Sequence, residues 1–456
     1  MKQSIAFWVL LILPTCLLAK NQYSVYSFPS GYIVTAINSS GEVVGTVNDQ
    51  PFVWTRSGGS EFLGNLGGGP TYDCCYVSDN GAVTGASILP NGVTHAFLWT
   101  ATTGMQDLGS ILGGQSLAFS INDNGEVAGI SSTPDGTITH AFFWSQQTGS
   151  IDIGPLSGYS YSQPNALSDN GEIAGVEWSQ NGPTSGFSWT LTNGLQPLPN
   201  LGGSTTAPIA INDSEQMAGV SSYAEGNWHA ALWASDGNIQ DLGTLAGDNS
   251  SRASYINASG HVAGQSWGAN TRIFFWTPAN GMTDIGTIGT PQTSLGGLNN
   301  RDQIVGNDSG KAKGGGLYLW SPALGLQKIS AGSAHPIALN DAGQFLASKS
   351  LAYSANELYT PIMNVTLTSS LNPSVKGQSV TFTANVRAIV GVPPDGEQVA
   401  FYNGSKLLGS GILSSGVATF TTSTLSAGTH SILASYTGDN NYEPSKSLGL
   451  KQMVNK

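Results

Sequence analysis

Four pairs of side chains in this sequence could do acid–base or metal chemistry, and all four share one spacing. His95, His140, His229 and Arg272 are followed, twelve residues on, by Asp107, Asp152, Asp241 and Asp284. A carboxylate beside an imidazole is an arrangement that orients it for proton transfer. The same pair also fixes the register of two adjacent strands, contributing about 0.2–1 kcal/mol when exposed. Spacing decides between these uses. One pair per 43–45 residues cannot converge on a single substrate or metal, so each pair reads as a lock across an outer hairpin. The equivalent positions Gln50/Phe62, Ser185/Pro197 and Gly316/Lys328 cannot form it.

Two other groups invite chemistry. The turns of the type Asn122-Asp123-Asn124-Gly125 cluster oxygen atoms, but each offers too few carboxylates for a calcium site of about 6–8 oxygens. No metal and no cofactor are expected. Trp178, Trp228 and Trp267, with Tyr223 beside them, lie outside the register of the recurring tryptophans. They fall between the second and third strands of consecutive units. Loops on a rigid scaffold are where binding resides, and aromatic rings stack on sugars or anchor proteins. These four are the candidate ligand-binding residues. Glu177 and Glu225 stand near them and would be the acids of a polysaccharide-cleaving alternative, provided they lie about 5–9.5 Å apart.

The elements that position these residues follow from a repeat. Its tryptophan recurs at Trp54, Trp99, Trp144, Trp189, Trp233, Trp276 and Trp320. Within one unit, Ala118 to Asn122 alternates in polarity, Asp123-Asn124-Gly125 turns, Glu126 to Ile130 forms a second strand, and His140 to Trp144 is a third with apolar residues on both faces. Ser150 to Ile153 is a fourth. Four short strands per 43–45 residues is the size of a propeller blade, whereas a solenoid would show one strand per shorter turn. The hairpin signals near Asn38, Ser78, Asn122, Ser168, Asn212, Asn257, Asn299 and Asn340 number eight. The eighth unit stops after Glu357 to Thr360, and Tyr23 to Phe28 can supply its missing strand. The expected fold is thus all-β: an eight-bladed β-propeller, with seven blades the alternative, over residues 20–362.

Lys2, the apolar run Ile5 to Leu13 and Ala19 predict a signal peptide at 1–19; Cys16 only faintly suggests lipidation. No later segment is apolar enough to span a membrane. The excess of 28 acidic over 16 basic residues excludes phosphate-backbone binding, hence nucleic acid. Cys74 and Cys75 occupy a core strand position and read as two small core residues rather than a vicinal disulfide. From residue 363 to 456 the repeats give way to short strands at sandwich spacing.

Two resemblances follow from quoted residues. The units resemble the HAF-repeat family of bacteria, on His95-Ala96-Phe97, His140-Ala141-Phe142, Asn122-Asp123-x-Gly125 and Asp107-Leu108-Gly109 with Gly113-Gly114. Some units drift, with Gln50, Ser185, Arg272 and Gly316 in place of the histidine. The C-terminal region resembles bacterial Ig-like repeat domains, on Asn403-Gly404-Ser405, Leu425 to His430 and Tyr436 to Tyr442, without the core disulfide of antibody domains. The first resemblance implies an extracellular protein with no established activity and no catalytic residues to carry over. The expected function is a secreted or cell-surface binding or adhesion protein, with a glycan or surface protein as partner and the Ig-like domain as spacer. A polysaccharide-acting enzyme and a purely structural envelope component are the alternatives.

Overall fold

The computed structural model describes residues 22–69, 75–180, 182–286, 293–308, 315–330, 334–348, 356–388 and 391–456. The signal-peptide, Cys16 and Cys74 expectations lie outside these residues. Among them every regular element is a β-strand.

Each repeat is a four-stranded antiparallel meander. In the third, Ser116–Ile121, Val127–Ser132, Thr139–Ser145 and Gly149–Asp152 pair in chain order. Its first turn is set by Asn122, whose Oδ1 accepts the N–H groups of Asn124 and Glu126. Gly125 closes it at φ 72°, where a side chain would strain the backbone. Thr139–Ser145 is buried on both faces. Phe142 and Trp144 pack on Ala96, Leu98 and Leu108 of the preceding unit, while Ala141 and Phe143 pack on Ile173, Phe187 and Trp189 of the next. Each large side chain so buried stabilises the stack by about 1.5–3 kcal/mol. The first strand carries a bulge between Ala118 and Ser120. It brings the backbone so close that a Cβ on Gly129 would meet the Leu117 carbonyl oxygen, and Gly45, Gly219 and Gly264 face the same contact.

The final sheet of the repeat region is built from both chain ends. His335–Leu339, Phe345–Ser348 and Glu357–Pro361 are completed by Tyr23–Ser27, with Tyr23 opposite Pro361 and Ser27 opposite Glu357. A belt of hydrogen bonds joins the first turns of successive units. Asn122 Nδ2 donates to Ser168 O at 2.9 Å, Asn212 to Asn257 O at 3.0 Å, and Asn299 to Asn340 O at 3.0 Å. Asn340 Nδ2 then donates to Asn38 O at 3.0 Å, which closes the circle. The architecture is that of a β-propeller with the first strand of each unit innermost.

The C-terminal region is a sandwich. Asn364–Ser369, Val380–Arg387 and Val417–Thr422 form one sheet. Gln398–Asn403, Lys406–Ile412, Gly428–Tyr436 and Leu450–Asn455 form most of the other. Phe382, Phe401, Ile432 and Tyr436 fill the core. This sandwich, expected to act as a spacer, is docked on the ring. Glu443 Oε1 accepts from Arg56 Nη1 and from Ser24 Oγ, both at 2.6 Å. Asn441 Nδ2 donates to Ser39 O and Gln344 Nε2 to Asn440 O, and Arg301 Nη1 reaches Tyr442 Oη at 3.3 Å.

Candidate binding face

The ring has two faces, and strand direction separates them. The belt turns and the sandwich share one. The loops joining second to third strands, and fourth to first strands of the next unit, form the other. All four candidate aromatic residues lie on this second face. Trp178 and Trp267 are the last residues of Ile173–Trp178 and Val262–Trp267, and Trp228 is the first of Trp228–Trp233. They therefore sit on strand ends, not inside the loops as their spacing suggested.

The structure brings three of the four together. Tyr223 and Trp228 line a recess of about 480 Å³ against Gly202–Thr205. Trp228 is 43% exposed. The backbone N–H of Trp228 donates to Ser250 Oγ at 3.4 Å, and Ser250 is the cross-strand partner of Trp267. Trp178 stacks instead on Tyr161, centroids 5.6 Å apart and planes at 19°, which occupies one side of its ring. Ser250 and the Gly202–Thr205 loop were invisible to sequence reasoning, since nothing in their types marks them.

Beneath Trp228 lies a small polar network. Tyr223 Oη donates to Asp241 Oδ2 at 2.5 Å, and His229 Nδ1 lies 2.9 Å from Asp241 Oδ1. The Tyr223 ring meets His229 edge-on at 4.9 Å. Hydrogen bonding to the Asp241 carboxylate, aided by burial, pushes the Tyr223 phenol up to about 12. Burial works to raise Asp241, but hydrogen bonds from Tyr223, Gly243 N–H and His229 outweigh it and hold the carboxyl below its ordinary value. The network orients the aromatic residues and supplies no free nucleophile.

The other pairs form as expected. His95 Nδ1 lies 2.9 Å from Asp107, His140 Nδ1 3.0 Å from Asp152, and Arg272 Nη1 3.0 Å from Asp284. The register differs in detail. Asp152 stands directly opposite Phe142, so His140 reaches it on the diagonal. Arg272 also binds Asp248 at 2.8 Å. In the last of the three units without the pair, Lys328 lies over the Tyr318 ring. A fifth pair, His261 to Asp302 at 2.7 Å, bridges two units and follows no repeat spacing.

Glu177 does not fit the catalytic alternative. It is fully buried, and its Oε2 accepts the N–H of Leu156 at 2.8 Å. Ser87, Ser221 and Ser266 do the same for Leu66, Leu201 and Leu245. Glu177 is thus a loop clasp inherited from the repeat. Glu225 is exposed. Cys75 is buried and disulfide-bonded, not the free core residue expected, with its partner outside the described residues. The belt turns carry Asp79, Asp123, Asp169, Asp213 and Asp341 around the mouth of the central channel, and their carboxylates accept backbone N–H groups of neighbouring turns, as Asp169 does from Asp123 at 2.9 Å. No group of three metal-ligating side chains occurs among the described residues.

The comparisons with known proteins bear first on the sandwich that grips this ring. Residues 367–455 match the family model of the bacterial Ig-like domain (group 3). The Ig-like domain covers the C-terminal region only, and no curated protein matches the chain. Among solved structures the chain is similar to dipeptidyl peptidase 4 of Porphyromonas gingivalis, at TM-score 0.49 and 10% identity, over 79% of this chain and 65% of that one. It is also similar to prolyl oligopeptidase B of Galerina marginata, at TM-score 0.47 and 8% identity, over 80% and 55%. TolB of Acinetobacter baumannii matches at TM-score 0.34 and 14% identity, over 68% and 81%. The chain spans less than two thirds of either peptidase, and no activity carries over at such scores. No described helix is long and apolar enough to cross a membrane.

Proposed function

We propose that this chain is a secreted or cell-surface binding protein that presents the loop face of its propeller to a glycan. In this reading residues 1–19 are a signal peptide. Residues 20–362 form eight blades of the HAF-repeat type, and residues 363–456 form the Ig-like unit. The observation that carries the proposal is the exposure of Trp228 beside Tyr223 and Trp267, on the face the Ig-like domain leaves open. An indole ring held in water at a rigid strand end suits the C–H face of a sugar, and Tyr223 is already oriented by Asp241. A protein ligand is the other class such a face could take. Hydrolysis is disfavoured by the burial of Glu177 in a structural role.

The test is a glycan array probed with the mature protein and with Trp228→Ala, Trp267→Ala. Binding to at least one glycan class, lost in the double variant at an unchanged Tm, is the expected result. Wild-type protein that binds no glycan, or a double variant that binds as well as wild type, overturns the proposal. Retention of an extracellular protein instead of glycans would move the ligand to the protein class.

A further inference from the structure

One cross-strand position of the innermost strands varies from unit to unit, and in one unit it carries an arginine. Register aligns the cross-strand pair Arg252/Gln265 with Ile33/Thr46, Leu117/Ile130 and Ala207/Val220 of other units. The same position holds Gln163/Val176, Ser294/Asn307 and His335/Ser348 in three further units, so the fold is satisfied there by apolar and by neutral polar pairs alike and does not demand an arginine. Arg252 is exposed, and among the described residues it makes no hydrogen bond and no ion pair. It lines a cavity of about 840 Å³ together with Asn165, Ser254, Tyr255, Gln265 and Ser294, and among the described residues no carboxylate lines that cavity. Asn165 donates its Nδ2 to Pro208 O at 2.6 Å, which leaves its amide oxygen as an acceptor. Ser294 Oγ donates to Asn307 Oδ1 at 2.8 Å, leaving its lone pairs. An unneutralised guanidinium among neutral hydrogen-bonding groups is the complement of a carboxylate attached to a polyhydroxyl ligand.

The position in the ring gives a direction of entry. Arg252 is the third residue of Ser250–Ile256, whose first residue contacts Trp228 and faces Trp267. The strand ends toward the belt, where Asp79, Asp123, Asp169, Asp213 and Asp341 crowd the channel mouth. Their like charge repels an anion at that mouth. The open route leads from the aromatic face.

We infer that the cavity holding Arg252 and Gln265 is a carboxylate-binding subsite, and that the ligand is an acidic glycan of the uronate class. This rests on the binding reading given above. The uronate carboxylate meets the Arg252 guanidinium, Asn165 and Ser294 exchange hydrogen bonds with its hydroxyls, and neighbouring sugars extend toward Trp267 and Trp228.

Calorimetric titration of the mature chain decides it, with an oligoglucuronate against the same oligosaccharide after carboxyl reduction. The wild type is expected to prefer the uronate by about tenfold or more. Arg252→Gln should abolish that preference at an unchanged Tm, and Arg252→Lys should retain part of it. Equal binding of both sugars by the wild type, or a preference that survives in Arg252→Gln, overturns the inference. If both sugars bind and Trp228→Ala removes both, the binding face stands without the subsite. Glucuronate alone provides an independent arm: it should shift the Arg252 Nε–H resonance where glucose does not. A shift with no oligosaccharide binding keeps the subsite and removes the glycan face, while no shift removes the subsite.

Discussion

The side-chain nitrogen of Asn340 lies 3.0 Å from the carbonyl oxygen of Asn38, 302 residues earlier in the chain. It repeats the bond that Asn122 makes to Ser168, so the last junction of the ring is built like the internal ones. The strand Tyr23–Ser27 closes the same junction a second time, as the outermost strand of the final sheet beside Glu357–Pro361.

Tyr23 seals that closure from within. Its ring packs on Phe345 and Tyr359, and its hydroxyl is buried without a partner. Burial raises its phenol well above the ordinary value. Tyr23→Ala is expected to cost about 3–5 kcal/mol in urea denaturation. Tyr23→Phe removes the orphaned hydroxyl and should be neutral or stabilising by about 1 kcal/mol. A clear loss in Tyr23→Phe would show that the hydroxyl has a partner.

Glu172 gives the ring a pH dependence. In most units the turn-opening asparagine donates its Nδ2 to the acid or amide four residues on, as Asn122 does to Glu126 at 2.7 Å. Ser168 replaces that asparagine, and Glu172 Oε2 is left buried without a partner. Burial, with the nearby Glu215 charge, pushes the carboxyl up to about 7. A raised folded value means the associated stability is fully present below the unfolded value and fades as pH rises through about 7. Ser168→Asn should restore the donor and raise Tm most above pH 7; Glu172→Gln should flatten this part of the Tm–pH curve. A curve unchanged by Glu172→Gln assigns the dependence elsewhere.

Glu177 separates scaffold from catalysis. Burial raises its carboxyl, and its Oε1 has no partner. Glu177→Ser copies the clasp of the other units and is expected to fold with equal or higher Tm, while Glu177→Ala loses the bond to Leu156 and should be less stable by about 1 kcal/mol than the serine variant. A polysaccharide-cleaving activity present in wild type and absent in Glu177→Ser would restore the enzyme reading.

The outer pairs should matter to stability and not to binding. Asp152→Ala removes the contact to His140 and the bond from Gly154 N–H, and a loss of about 0.2–1 kcal/mol is expected. Ligand affinity should be unchanged. Asp241→Ala, in contrast, releases both Tyr223 and His229 and should weaken glycan binding. Equal effects of the two substitutions on affinity would contradict the separate role given to Asp241.

Glu443 is the hinge pin between ring and Ig-like domain. Glu443→Ala leaves Arg56 and Ser24 without their acceptor. Limited proteolysis should then release the Ig-like domain faster than in wild type, and small-angle scattering should report a larger radius of gyration. An unchanged cleavage rate and radius would show that Asn440, Asn441 and Tyr442 suffice.

By itself, the sequence determined the strands, the period and the His–Asp and Arg–Asp pairs. These follow from alternation along one strand and from offsets across one hairpin, both short-range properties that a repeat displays many times over. It also pointed to Tyr23 to Phe28 as the strand missing from the last unit, because an incomplete unit is visible when its complete copies stand beside it. The tertiary structure alone decided the rest. Glu177 became a loop clasp because the preceding loop lies over it, and Trp178 was drawn onto Tyr161 while Trp228 stayed open. Among the described residues Arg252 has no hydrogen-bond or ion-pair partner, and its strand faces a cavity lined by neutral groups. The Ig-like domain settled on the belt face because Glu443 meets Arg56 and Ser24, residues 387 and 419 positions away. Each of these depends on which distant backbone or charge arrives beside a side chain, and neither periodicity nor composition encodes that distance.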